Sequence, residues 1–333
     1  MKKTLSFALL LSLFVPAAAQ NEKLAQTGFK FLNVATDPRV VAMGEAFTSV
    51  EGTSSSLFFN PAGFARMKES FQAEVGTTQW IADINHTFAS MAIATPNNDY
   101  GVFGVTVQSV DYGDLIRTIR LPNSASGYMD VGTFSPLALS VGVGYANALS
   151  DRFSVGGRVA YNIQNLGDGI KETNDQFNPI VTTSEDEVLS FDFGMLYKTG
   201  LKSLNFAVSI RNFSKETKFE RETFSLPLTI RIGMSANVMD FLSSSSEPDP
   251  FLISVDAVNS RDFPETINLG GEYVFMKALA LRAGYMFGYD EKGFTAGLGV
   301  SQTIEGIGIG IDYAYTPFGV FGNVNRFAIQ FYL

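Results

Sequence analysis

From residue 69 onward, apolar residues recur at every second position rather than at helical spacing. In 137–145, Leu137, Leu139, Val141, Val143 and Tyr145 share one face, and Ser140, Gly142 and Gly144 share the other. Phe153, Val155, Val159, Tyr161 and Ile163 alternate with Ser154, Gly156, Arg158, Asn162 and Gln164. The last run sets Phe327, Ile329, Phe331 and Leu333 against Arg326, Ala328, Gln330 and Tyr332. Such runs number about fourteen, each of roughly ten residues, the length and spacing of strands in a membrane barrel. They fall near 69–80, 84–95, 99–111, 135–147, 151–165, 187–198, 202–213, 226–237, 250–259, 264–276, 278–289, 292–302, 306–316 and 323–333. No self-similarity accompanies the spacing, so the repeat is one of hairpins and not a solenoid.

Alternation alone leaves the outward face open, because a small soluble barrel turns its apolar face inward. Size decides. Barrel diameter grows with strand number, and at about fourteen strands one layer of Leu, Ile and Phe cannot close the lumen. The apolar face is therefore assigned to lipid and the polar face to the lumen. Arg158, Asp192, Arg211, Arg231, Asp256, Glu272, Arg282, Asp312 and Arg326 all lie on the polar parity and are expected to pair across the lumen. A closed barrel satisfies every backbone N–H and C=O internally, as a bilayer requires. The expectation is an all-β fold, a transmembrane antiparallel β-barrel over 69–333, in preference to a soluble double sandwich.

The N-terminus agrees with export. Lys2 and Lys3 precede an apolar run, Leu5 to Val15, and Ala17-Ala18-Ala19 offers a cleavage site, giving a signal peptide over 1–19. That run is too short to span a membrane. With no cysteine, neither a lipoprotein anchor nor a disulfide framework can form. A net charge of -9 opposes nucleic-acid binding and polybasic attachment to anionic lipid. The 46% hydrophobic content, with 31 Gly and 30 Phe, is unusual for a water-soluble exported protein and suits a wall in contact with lipid.

Residues 20–68 lack strand alternation and form the expected N-terminal hatch, or plug. Asp37-Pro38 predicts a helix start, followed by a short apolar-faced helix that Gly44 ends. In "SSLFFNPAGFARM" (55–67), Asn60-Pro61 predicts a turn that interrupts any helix, the Asn side chain bonding the backbone just beyond. Gly63 allows close backbone approach. A segment this apolar, beside a wide lumen, is expected to fold into it. Connections alternate between short ("PNND", "NALSD", "TGLK", "IEG") and long, with insertions at 112–134 and 166–186. The second is read as an acidic loop, with Asp168, Glu172, Asp175, Glu185, Asp186 and Glu187. The serine tract 243–246 is read as a linker.

The stretch 28–67 resembles the N-terminal signature of the PorV/PorQ family, within the FadL-like outer-membrane barrels. Arg39, the Met43-Gly44 pair, Ala46-Phe47 and the turn Asn60-Pro61-Ala62-Gly63 match it. "SLPLTIRIG" (225–233) is similar to that family's Leu-Pro start of a strand. Its closing hairpin is matched by Asp312, Tyr313, Ala314, Tyr315, Gly319 and Gly322, with Asn325 where many members carry His. The resemblance implies a hatched barrel in the outer membrane of a Bacteroidota-type bacterium. It also implies partners among the type IX translocon and its secreted cargo proteins.

No catalytic constellation is found, and no cofactor or metal site is expected. His86 and Ser90 share a strand face about 13 Å apart, too far for a hydrogen bond. "GIGIG" (306–310) alternates as a strand and so fails the context of a phosphate loop. Two function classes stay open. One is a protein-handling component of type IX secretion. The other is a FadL-like transporter of hydrophobic small molecules, with Phe58, Phe59 and Phe64 as apolar ligand contacts.

Overall fold

The computed structural model describes residues 27–120, 125–173, 179–219, 222–242 and 249–333. The expected signal peptide, the start of the hatch (20–26), Asp175 and the serine tract lie outside the described residues. In chain order the strands begin with β1 (Phe71–Gln79), β2 (Asn85–Ala94), β3 (Val102–Asp111), β4 (Leu115–Arg120), β5 (Tyr128–Phe134) and β6 (Leu137–Ala148). Next come β7 (Phe153–Thr173), β8 (Pro179–Lys198), β9 (Asn205–Ser214), β10 (Thr217–Phe219), β11 (Glu222–Phe224) and β12 (Thr229–Asn237). The last are β13 (Phe251–Ser260), β14 (Thr266–Phe275), β15 (Leu279–Phe287), β16 (Phe294–Ile304), β17 (Ile307–Pro317) and β18 (Asn323–Tyr332).

All but β4, β5, β10 and β11 join one closed antiparallel barrel of 14 strands, sealed where β1 meets β18 with Val75 opposite Ile329. Closure leaves no edge, so the backbone meets lipid fully paired. The assigned faces hold: Ala138, Ser140 and Ala146 of β6 are buried, while Leu137, Val141 and Val143 are exposed on the outside. Among the described residues no helix is long and apolar enough to cross a membrane. The chain crosses with strands, and the exposed apolar band of the closed barrel makes it integral to a membrane. Short turns gather at one end; Glu305-Gly306, both at positive φ, links β16 to β17 in two residues.

Two expectations are corrected at the opposite end. The 166–186 insertion is not a loop: β7 and β8 run on for 21 and 20 residues as a ribbon, Asp168 opposite Thr183 and Thr173 opposite Pro179. The acidic residues Asp168, Glu172, Glu185, Asp186 and Glu187 therefore lie on strands. A shift in register after Asn165, with Gly167 at φ 86, bends the ribbon as it leaves the barrel. Ile170, Ile180, Val181, Thr182 and Thr183 carry the β-propensity that charge counting obscured. The 112–134 insertion likewise folds back on itself as the β4–β5 hairpin.

Candidate functional site

Inside the barrel lies the described part of the hatch, residues 27–68, running from the long-loop end to the short-turn end. At the long-loop end Thr27 bridges Ser225, and Phe29, Phe31 and Leu32 pack against Val110, Ala138, Val188 and Leu226. Midway, the helix Pro38–Ala42 rests against β15, β16, β17 and β18. Asp37 caps it as expected, accepting the Val40 N–H at 3.2 Å, with Pro38 at the first helical position where no N–H is needed. At the short-turn end Leu57, Phe64, Ala65 and Met67 cluster with Ala92, Val102 and Ala146.

The Asn60-Pro61 turn behaves differently from its reading in one respect. It does not exclude helix; it separates two 3-10 helices, Ser54–Phe58 and Pro61–Arg66. Pro61 is tolerated because it opens the second helix, and Asn60 caps it by accepting the Ala62 N–H at 3.0 Å. The Asn60 amide also donates to Thr48 O at 2.7 Å and to Met195 O on β8 at 3.3 Å, tying the turn to the wall. Gly63 is held against Val50, where an added Cβ would lie 2.8 Å from the carbonyl oxygen.

The lumen-facing glycines form the seat for this segment. Met43 and Gly44 press their backbone onto Gly270 and Gly284, and Ala42 lies on Gly297. Leu57 fills the space over Gly104 and Gly144, and the Asn60–Ala62 backbone crosses Gly156 and Gly194. A side chain at these wall positions would occupy volume that the hatch already takes.

Charge completes the fit. The nine predicted lumen charges do face inward, but they do not pair across an open lumen; they meet adjacent strands or the hatch. Arg39 makes a bidentate pair with Glu272, at 2.8 and 2.7 Å. Glu272 also accepts from Arg282 at 2.6 Å, and Arg282 in turn pairs with Asp312. Asp256 accepts the Phe47 and Thr48 N–H groups at 3.1 and 3.0 Å and the Thr48 hydroxyl at 2.6 Å. Arg326 donates to Ala35 O at 3.0 Å, and Arg211 to Leu32 O at 3.5 Å. Arg158 and Asp192 pair along the wall at 2.7 Å.

Glu45, absent from the sequence-derived site, is a second centre. It takes Arg231 at 3.0 Å and Lys292 at 2.8 Å, while its carbonyl accepts from Arg231 at 2.8 Å. Burial pushes its carboxyl up, but the Lys292 ammonium and the Arg231 guanidinium prevail and hold it down at about 2. For Asp37, burial outweighs the hydrogen bonds from Ser55 and Val40, and its carboxyl lies above the ordinary value. Glu74 was also missed. It occupies the polar parity of β1 with Gln72 and Thr78, so the rule that found nine charges would have found it there. For Glu45 the signal was a lone acid in an otherwise apolar run.

Phe58, Phe59 and Phe64 are all buried, and their surfaces are taken up by protein. Phe58 meets Phe88 edge-on at 6.0 Å beneath the Arg158 guanidinium. Phe59 meets Phe47 at 6.2 Å, with Arg211 over its ring. His86 is buried on the lumen side beside Trp80, with Gln108 at 3.5 Å. Ser90 turns instead to Ser54, at 2.9 Å.

A family model described as type IX secretion system membrane protein PorP/SprF matches residues 123–328. No curated protein matches the chain. Among solved structures, the chain resembles the toluene transporter TbuX of Ralstonia pickettii at TM-score 0.56 and 11% identity, over 88% of this chain and 96% of that one. The Pseudomonas putida toluene transporter TodX gives 0.57 and 11%, over 88% and 95%. A Pseudomonas aeruginosa FadL homologue gives 0.55 and 11%, over 90% and 98%. At such identities the likeness is one of fold.

Proposed function

The chain belongs to the PorP/SprF family of type IX secretion system membrane proteins, and on that basis we propose that it binds proteins of that machinery at the outer membrane, the translocon or secreted cargo, instead of passing solutes. The observation that carries this reading is the hatch, seated on wall glycines and joined to the wall by the Arg39–Glu272 and Glu45–Arg231 pairs. A segment held through buried ion pairs at several heights is a poor gate, since each pair broken leaves an uncompensated charge. A closed barrel then serves through its surfaces, and the β7–β8 ribbon, the β4–β5 hairpin and the β10–β11 pair reach beyond the wall.

The PorV-like form of this role, receiving cargo from the translocon, rests on the signature at 28–67, which lies before the residues that the PorP/SprF model matches. FadL-like transport of hydrophobic molecules is the competing reading. It has the fold in its favour, while the packing of Phe58, Phe59 and Phe64 into protein contacts weighs against it. The test is reconstitution into planar bilayers, paired with crosslinked purification from native outer membranes. The proposal expects no conductance and recovery of translocon or cargo proteins. Steady conductance, with lipid-like molecules extracted from the barrel and no protein partner, would overturn it.

A further inference from the structure

A polar cavity of about 120 Å³ lies between the hatch and the β1–β18 seam, with Arg39, Ser54, Gln72, Glu74 and Gln330 among its walls. It approaches the short-turn end, where half-buried Glu69 and Tyr332 stand at its mouth. Glu74 is 3% exposed, and the one donor that reaches its carboxylate among the described residues is the Ser55 hydroxyl. The Ser55 hydroxyl beside it is shared with Asp37 and Thr53.

The other polar groups are already committed. Gln72 accepts from Ser54 N at 2.9 Å and donates to Gly52 O and Glu69. Gln330 gives its amide to Asp312 at 2.8 Å, and Arg39 turns Nε and Nη2 to Glu272. Around Glu74 the acids Asp37 and Asp312 are set against Arg39, which Glu272 already engages, leaving the neighbourhood rich in negative charge. A buried carboxylate left with a single shared hydroxyl is costly, and a donor-bearing cation relieves it.

We propose that this cavity binds an alkylammonium group, with Glu74 as its anionic anchor. An ammonium needs one carboxylate and a few neutral acceptors, and Gln330 and Ser54 line the same cavity. A metal ion needs several hard ligands at once, and no group of three or more acidic or histidine side chains among the described residues is gathered to hold one. The volume equals that of roughly four waters, which one short alkylammonium displaces. Two sources share this chemistry: a free amine, or a lysine side chain from a partner at the short-turn end. Only the second rests on the function proposed above.

The test uses the purified full barrel in detergent. n-Butylammonium chloride is expected to raise the thermal unfolding midpoint, whereas tetramethylammonium, which has no N–H, is not. Glu74→Gln is expected to weaken butylammonium binding on the order of tenfold through loss of the charge-assisted bond. Saturation-transfer NMR of butylammonium on the unaltered protein, displaced by excess lysine, supplies a readout that needs no variant. Equal responses to the two ammonium salts, no transfer signal, or stabilisation by calcium through Glu74 would each overturn the assignment. Carbodiimide treatment of native outer membranes separates the sources. A protein adduct at Glu74 assigns the partner lysine, and amine binding without any adduct assigns the free amine.

Discussion

Glu272 sits between Arg39 of the hatch and Arg282 of the wall, so its carboxylate neutralises two guanidiniums at once. Replacing it with Ala strands Arg39 and leaves Arg282 with Asp312 alone. The expected loss is about 3–5 kcal/mol, the range for breaking a buried pair from one side, measured as a urea unfolding shift of the barrel in lipid vesicles. Glu45 makes the pH dependence specific. Its folded carboxyl lies near 2, below the ordinary value of 4.5. The stability it contributes is therefore complete above the ordinary carboxylate range and is lost as pH falls toward 2. Protease cleavage within the hatch should rise as pH is lowered from 5 to about 2.5 with a pepsin-type enzyme, and the Glu45→Gln protein should show a flatter profile. An equal rise in both would assign the change to other groups. The lumen charges were legible because strand parity is strict. Their partners were not, since Arg39 and Glu272 lie 233 positions apart and nothing local couples them.

At the scale of elements, strand limits were readable to within a few residues: β6 was expected over 135–147 and runs Leu137–Ala148. Alternation reports a wall that is apolar on one side, whatever the neighbouring strand is. It failed for β7 and β8, whose outer halves leave the membrane and so need no apolar face. The glycines read as lumen lining turned out to be the hatch seat, which sequence could not distinguish from small residues facing water. Gly284→Val should therefore overlap the Gly44 amide, disturbing the hatch and not the strand. The expected cost is about 1–3 kcal/mol of overpacking, with single-channel openings absent from the unaltered protein. Silent bilayers from an assembled Gly284→Val barrel would show that the seat tolerates the methyl groups.

For the whole molecule, the decisive quantity is the lumen that a barrel of 14 strands encloses. The hatch occupies it, so deletion of 27–66 should give a barrel that still inserts but conducts; a deletion barrel that stays silent would mean the wall closes by itself. The exposed band that includes Val141, Val143, Ile230, Ile232 and Ile329 should keep the protein in detergent or lipid at all times, and gel filtration without surfactant should return only aggregate. Period-two patterning, carried by every strand on its own, was enough to determine a closed, lipid-facing β-barrel and the sense of its two faces. Which lumen group meets which part of the hatch, and the poorly donated carboxylate of Glu74, depend on residues brought together only when the sheet closes. Sequence spacing holds no record of those distances; the tertiary fold decides them.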